Sequence, residues 1–413
     1  MPKILHLTAD SSGGAGIAAS RLVMSLNKFT LYECSLGVIH SCNDSDYTLP
    51  LPFYYQWLRK FEHRVLRLQK KGNRTPRSLG LFSSNLHKIV NSSDYDVVHL
   101  HWINKNMLSI SDIAKINKPI IWTLHDMWPF CGTEHYSNDE RYQDGYPSKN
   151  GELRSAWVDV DRYVYLKKCA SWKRLRLNLA CPSQWINRCA NASKIFGEVK
   201  SKVIPNGVDI NLFKSIPKDD CRKQYGVATG KYTILFGAVN STNDIRKGYL
   251  ELQGAIVELC NRGYRSSIEL VIFGAGDDGL GKALPCDVKY LGNVENEKDM
   301  PRVYNCADVF VGPSKQDNLP NTMVEAQSCG VPVVAFDIGG ISDIVEHEVT
   351  GYLASAFSVY SLADGIEWCM KNTKVQNLQN NARERSIRLF NHRVTALAYQ
   401  DYYQQIIEDY KYV

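Results

Sequence analysis

The sequence predicts an α/β protein built from two Rossmann-like domains, and three observations predict it. A short apolar strand, a glycine run and an amphipathic helix open the chain, as at the start of a mononucleotide-binding half. The same alternation restarts after a Pro-Asn-Gly break at residues 205–207. At 413 residues the chain is too long for one ordinary domain and suits two or three.

Composition narrows the class further. The apolar fraction of 44% and the charged fraction of 22% are those of a globular protein. A formal net charge of +6 permits an anionic ligand or an anionic surface and demands neither, and no nucleic-acid partner is expected. No apolar run approaches the ~20 residues that a membrane-spanning helix needs. The N-terminal run Pro2–Thr8 is too short for the core of a signal peptide and reads as a strand. The 12 cysteines are scattered, without a Cys-x-x-Cys pair. Reduced, buried thiols in a cytoplasmic protein are the simplest account.

In the first half, Lys3–Thr8 is the first strand, Ser11–Gly16 a glycine loop, and Ala18, Leu22 and Leu26 lie on one stripe of the helix that follows. The glycines are not spaced as a dinucleotide fingerprint. Residues 53–71 are basic and amphipathic. Trp57, Phe61, Val65 and Leu68 fall at helical spacing among six Lys and Arg, with Glu62 as the single acid. Two readings stand side by side: an anionic membrane surface, or packing on the domain with a solvated basic face. Asp96–His101 and Pro119–Leu124 are strands. His99 and His101 share a face, which admits a metal but more often marks hydrogen-bonded packing. The second strand delivers His125 to its carboxyl end, the edge that faces ligands in open α/β sheets. Residues 131–173, with Tyr136, Tyr142, Tyr146 and Trp157, read as a long insertion suited either to stacking on acceptor sugars or to a small satellite core. Leu177–Cys181 is a further strand.

The domain junction falls at Val203–Asp209. The expected division is 1–204, completed by 391–413, and 205–390. Tyr232–Gly237 and Ile268–Phe273 are the first strands of the second domain. Arg246-Lys247-Gly248 sits between its first strand and helix, where a planar fork and a point charge suit the two phosphates of a diphosphate. Gly292-Asn293 follows another strand. Asp308–Val311 is a buried strand that feeds the polar loop from Pro313 and a helix from Asn321, read as its N-cap, to Gly330 as its C′ residue. The amides of Asn321, Thr322 and Met323 and the helix dipole make an anion site. Asp317 and Glu325, separated by seven residues, bracket it. Carboxylates repel phosphate, so their role is to accept hydrogen bonds from hydroxyls. Gly339–Val345 is another glycine loop before a helix, and Ser358–Asn372, Val375–Leu389 and Arg393–Tyr410 are helical.

This stretch resembles the retaining nucleotide-sugar glycosyltransferases of family 4, which have the GT-B fold: two Rossmann-like domains facing across a central cleft. In that family an acid, seven residues and a glutamate lead into Glu-Ala-x-x-Cys-Gly-x-Pro-Val-Val. Here the ending stands as Glu325 to Val334. The first acid is usually Glu; here it is Asp317, one methylene shorter. The resemblance implies that Glu325 holds the donor ribose, Asp317 the hydroxyls of the transferred sugar, and Arg246 and Lys247 the diphosphate. It implies that His125, in Thr-x-His-Asp, faces the transferred sugar, that Gly14 lies near the diphosphate, and that Asn293 lines the base pocket. It also implies that the last helix crosses back onto the first domain.

The expected activity is transfer of a sugar, with retention, from a nucleoside diphosphate sugar to a saccharide or lipid-linked acceptor. No metal or other cofactor is expected. Family habit and the basic helix suggest bacterial polysaccharide assembly at the cytoplasmic membrane face. A sugar-nucleotide epimerase of the same fold and a non-catalytic nucleotide-sugar binder are the alternatives.

Overall fold

The computed structural model describes residues 1–40, 47–49, 55–68, 75–137, 139–147, 159–237, 244–276 and 284–411. The chain divides into two compact units. The first comprises Met1–Pro205 with Arg393–Val413, and the second Asn206–His392.

The first unit holds a seven-stranded parallel sheet. Its strands are β1 (Lys3–Asp10), β2 (Glu33–His40), β3 (Tyr47–Thr48), β4 (Val97–Leu100), β5 (Ile120–Thr123), β6 (Leu177–Cys181) and β7 (Ser201–Val203). They lie in the order β3-β2-β1-β4-β5-β6-β7. The order reverses between β1 and β4, which makes their carboxyl ends the topological switch point. Alternation of side chains splits the core into two layers. Leu5, Leu7, Val98, Leu100, Ile120 and Trp122 face one way. Ile4, Val97 and Ile121 face the other and pack under the helices Gly13–Phe29 and His392–Lys411, the latter through Tyr399, Tyr402, Tyr403 and Ile406. The last helix of the chain thus completes the first unit, as expected.

Two readings of the first half are corrected. Ser11–Gly16 is not a loop throughout, because the helix already begins at Gly13, with Ser12 as an extended N-cap. Gly16 is the close-approach glycine: a Cβ there would lie 2.4 Å from the Asp10 carbonyl oxygen, where helix crosses strand end. The aromatics of the 131–173 insertion are core, not an acceptor platform. Tyr136, Tyr142 and Tyr146 are buried in the same cluster as Phe130, Tyr165 and Trp172. Lys168, itself buried, donates to the carbonyls of Trp128, Cys131 (2.9 Å) and Gly132 (2.8 Å) and pins the turn beneath them. Trp157 lies outside the described residues.

The second unit repeats the plan with six parallel strands: β8 (Tyr232–Gly237), β9 (Ile268–Phe273), β10 (Asp287–Gly292), β11 (Val309–Gly312), β12 (Val333–Phe336) and β13 (Gly351–Ala354). Their order is β10-β9-β8-β11-β12-β13, with the reversal between β8 and β11. The central strands are buried on both faces, which is why Ile268–Phe273 is apolar but for Glu269, whose carboxylate accepts the Ala228 amide at 2.9 Å. Ile234, Leu270 and Val309 face one layer. Leu235, Val271 and Phe310 face the other.

Candidate active site

The carboxyl edge of each sheet carries candidate residues. In the second unit, three loops converge beyond β8, β11 and β12. Asp244 caps a short 3-10 turn, Ile245–Lys247, by accepting the Arg246 amide at 3.0 Å. Gly248 follows at φ +73°, and a Cβ on it would lie 1.9 Å from the Pro313 carbonyl oxygen. Only glycine lets the loop after β8 press against the loop after β11 this closely. The contact is sealed by the Lys315 amide donating to the Arg246 carbonyl at 2.7 Å. Gly339, at φ +56°, makes a similar approach to the Asp317 carbonyl, where a Cβ would lie 2.0 Å away.

Charged side chains meet in this junction. Lys247 Nζ donates to Asp317 Oδ2 at 2.9 Å, and Ser314 Oγ approaches the same oxygen at 3.4 Å. Arg246 forks onto its own turn, with Nη2 to Asp244 Oδ2 at 2.6 Å and Nε to Oδ1 at 3.2 Å. Both cations are therefore held in place by carboxylates while keeping about a quarter of their side-chain surface open, 29% for Arg246 and 25% for Lys247. Such pairs are worth little to stability at this exposure. Their effect is to orient cations beside a loop edge.

The helix after this loop runs Asn321–Ser328, and its N-cap is Pro320, so Asn321 is its first helical residue rather than the cap. Proline presets the turn, and its carbonyl accepts the Met323 amide at 3.1 Å. Met323 therefore drops out of the anion site; Asn321 and Thr322 stand in the open first turn. Asn206 Nδ2 reaches Asn321 Oδ1 at 3.3 Å, which places the Pro-Asn-Gly run beside the helix start. Glu325 is not a solvated helix position. It is buried, and Tyr304 donates to its Oε2 at 2.7 Å. A tyrosine hydroxyl aimed at a buried carboxylate fixes its rotamer, and no sequence signal linked the two. On the outer strands, Gly292 (φ +69°) accepts the Gly274 amide at 2.8 Å and leaves Asn293 exposed.

In the first unit the edge is polar, buried and nearly free of net charge. Gly13 and Gly14 open the first helix, with nothing within 4 Å of the place a Cβ would take on either. Asp10, at the end of β1, pairs with Lys105. His125 follows β5 and borders a small cavity with His101, Trp102 and Asp126. Its Nε2 lies 3.0 Å from His101 Nδ1. Burial pushes the His125 imidazole down to about 4, against a weaker upward pull from Asp126, so the ring is neutral at pH 7. For Asp126, burial alone would raise the carboxyl. The adjacent His135, bonded at 2.5 Å, and the Trp128 amide outweigh it and hold the group below the usual carboxylate range.

His99 and His101 are not isolated packing residues. With His6 they form a buried group in which one ring nitrogen of each lies within 4.8 Å of one from each of the others. The sequence pointed to the shared face of His99 and His101. It did not reveal His6, which reaches them through the parallel register that sets it beside His99.

Comparison with known proteins follows the same division. Residues 231–372 match the family described as Glycosyl transferases group 1, and residues 49–212 match Glycosyltransferase Family 4. The chain belongs to the group 1, family 4 glycosyltransferases. Within that family it is 24% identical over 272 residues to D-inositol 3-phosphate glycosyltransferase of Thermobispora bispora. That match covers 63% of this chain and 58% of the relative. It is 22% identical over 316 residues to the Escherichia coli UDP-Gal:alpha-D-GlcNAc-diphosphoundecaprenol alpha-1,3-galactosyltransferase, covering 74% of each. Among solved structures it resembles Anabaena Alr3699/HepE in complex with UDP and glucose. The TM-score is 0.67 at 19% identity, over 98% of this chain and all of that one. The fold of this glycosyltransferase is GT-B, two Rossmann-like domains.

Proposed function

We propose that this chain transfers a sugar from a nucleoside diphosphate sugar to a hydroxyl of a saccharide or lipid-linked saccharide, with retention of configuration and without a metal. One observation carries the reading. Lys247 meets Asp317, and the Arg246 turn is bonded through its carbonyl to Lys315 of the loop that leads into the helix Asn321–Ser328, at the switch-point edge of the second sheet, on loops locked by Gly248 and Gly339. Breaking a sugar–phosphate bond builds negative charge on the departing diphosphate. Two oriented cations and a helix N-terminus stabilise that charge without waiting for solvent to reorganise.

The remaining roles follow from chemistry. Lys247 can exchange its contact with Asp317 for a phosphate, which frees the Asp317 carboxylate to accept hydrogen bonds from sugar hydroxyls. Glu325, held by Tyr304, accepts from the ribose. Asn293 and Gly14 offer polar backbone and open space to base and phosphate. His125, kept neutral by burial, hydrogen-bonds a sugar hydroxyl instead of adding a charge. UDP stands in the name of the E. coli relative and in the description of the HepE complex, which makes uridine the first base to test.

The test is a thermal-shift series with UDP, GDP, ADP and their hexose conjugates, since a ligand that binds only the folded state raises the melting temperature. One nucleotide diphosphate is expected to stand out. Glu325→Ala should weaken its binding in calorimetry. Failure of every nucleotide to raise the melting temperature would sink the reading, as would unchanged affinity in Glu325→Ala for the ribose role.

A further inference from the structure

Seven side chains of the first unit form one hydrogen-bonded line that ends on His125. The Tyr399 hydroxyl lies 2.9 Å from Thr123 Oγ1, which lies 2.7 Å from His99 Nε2. His99 Nδ1 is 2.6 Å from the Tyr403 hydroxyl, which is 3.4 Å from His6 Nε2. His6 Nδ1 is 3.0 Å from His101 Nε2, and His101 Nδ1 is 3.0 Å from His125 Nε2. His6, His99, His101, Thr123, Tyr399 and Tyr403 are all buried. Strand alternation puts the strand members on one face: His6 on β1, His99 and the following His101 on β4, Thr123 and the following His125 on β5.

A neutral imidazole has one N–H and one lone pair. Two ring nitrogens 3.0 Å apart must therefore be one donor and one acceptor, so the tautomer of each ring dictates that of the next. Burial holds His6 at about 3 and His99 and His101 well below the ordinary histidine value, so the rings are neutral and the tautomer is their remaining freedom. A mismatch anywhere leaves two lone pairs or two hydrogens facing each other in a dry site, where an unmade hydrogen bond is costly. The 2.6 Å contact sets the direction, because that length suits an O–H donor better than an N–H donor. Tyr403 then donates to His99 and accepts from His6 Nε2–H. His6 Nδ1 accepts from His101 Nε2–H, and His101 Nδ1 accepts from His125 Nε2–H.

We propose that this line is a tautomer lock, in which His101, His6 and Tyr403 are positioning residues that hold His125 as the Nε2–H form and keep Nδ1 a hydrogen-bond acceptor. Its catalytic use rests on the proposed role of His125; the lock itself does not. The same three histidines, His6, His99 and His101, could be taken for a zinc site. The line fits better, because all six of their ring nitrogens already face polar partners. Ligation through either nitrogen of His99 would take it from a hydroxyl, Tyr403 or Thr123.

Histidine-selective 15N labelling of the full chain, with long-range proton–nitrogen correlation, reads the lock without substrate. A single Nε2–H form of His125 at pH 7 is expected, unchanged by added zinc. A mixture, an Nδ1–H form, or zinc-dependent shifts of His6, His99 and His101 together would overturn the proposal. Tyr403→Phe removes one oxygen that does not touch His125. It should leave His125 in mixed tautomers and lower kcat by about twofold or more, the fraction lost to the wrong form, with the donor KM unchanged. Tyr399→Phe, beyond Tyr403 on the same helix, should keep the single form. A purely structural tyrosine would lower stability in both variants and shift the tautomer in neither. Should Tyr403→Phe fail to fold, the wild-type spectrum still decides. Full turnover in His125→Ala would remove the catalytic role of His125 and leave the lock to be judged by the spectrum.

Discussion

The two sheets share one architecture and solve opposite electrostatic problems at their carboxyl edges. The second unit sets its cations part-exposed and pairs each with an acid, Arg246 with Asp244 and Lys247 with Asp317. The first unit lines its edge with neutral imidazoles, His6, His99 and His101 buried and His125 part-exposed at a small cavity. Part-exposed, paired cations can trade a carboxylate for a phosphate at little cost, since neither partner is deeply desolvated. Buried neutral rings suit a partner with hydroxyls and no charge, because bringing a charge there would carry a large desolvation penalty.

The largest expected effect tests the charged side of this contrast. Arg246→Ala and Lys247→Ala should each lower turnover by about 100-fold or more with the fold kept, as for loss of one oriented donor in other enzymes. Circular dichroism would check the fold and steady-state kinetics the rate. Near-normal turnover in folded Arg246→Ala would show that its fork onto Asp244 is structural and remove it from the mechanism.

The next effect tests the neutral side. Folded His125 resists protonation down to about pH 4, whereas an unfolded histidine binds its proton near 6.5. Between those values the unfolded chain holds more protons, so stability falls as pH drops from about 6.5 toward 4. For His125 alone the loss is about 3 kcal/mol. Glu134 opposes it: burial first, and Asp161 beside it, push its carboxyl up to about 7, and a raised acid favours the folded state as pH falls. That gain offsets part of the loss, and His6, His99 and His101, all lowered by burial, add to the loss and set the sign. Seven of the eight tryptophans lie in the first unit, so fluorescence reports on it. Acid unfolding should appear in that signal between pH 6.5 and 4. A flat signal down to pH 4 would break the comparison.

How much of this was legible beforehand depends on distance along the chain. Local patterns were legible. Leu177–Cys181, Tyr232–Gly237 and Ile268–Phe273 are strands over the same residues that alternation and apolar runs picked out. Arg246, Lys247 and Asp317 were each singled out, and Gly248 stood in the same motif. What failed was non-local. The pairing of His6 with His99 needs the β1–β4 register, and the Tyr403 link to His99 spans 304 residues. Burial of Tyr136, Tyr142 and Tyr146 could not be told from a stacking platform, because aromatic composition serves both. The Pro320 cap was missed because asparagine is the better cap by propensity, whereas proline here presets the turn.

The smallest expected effect concerns the helix Tyr55–Leu68 of the first unit, where the packing reading holds for one face. Glu62 is buried and accepts the Leu79 amide at 2.6 Å, and Val65 and Leu66 pack on the core, so one face holds the helix to the domain. The other face leaves Trp57 at 78% and Phe61 at 52% exposure, four residues apart, with Lys60 and Arg64 also exposed. Residues 53–54 and 69–71 of the basic stretch lie outside the described residues. Exposed single aromatics are ordinary, but two on one helical face beside cations match an anionic lipid surface, where each basic residue adds about 1 kcal/mol. We therefore expect part of the protein to sediment with phosphatidylglycerol vesicles at low salt and to return to the supernatant at high salt, where screening shortens the attraction. Trp57→Ala should lower the bound fraction without changing the melting temperature, since its ring stands off the packed face, whereas Phe61 also meets Phe82 edge-on and is left in place. Equal recovery in the supernatant with and without vesicles would leave the exposed face merely solvated.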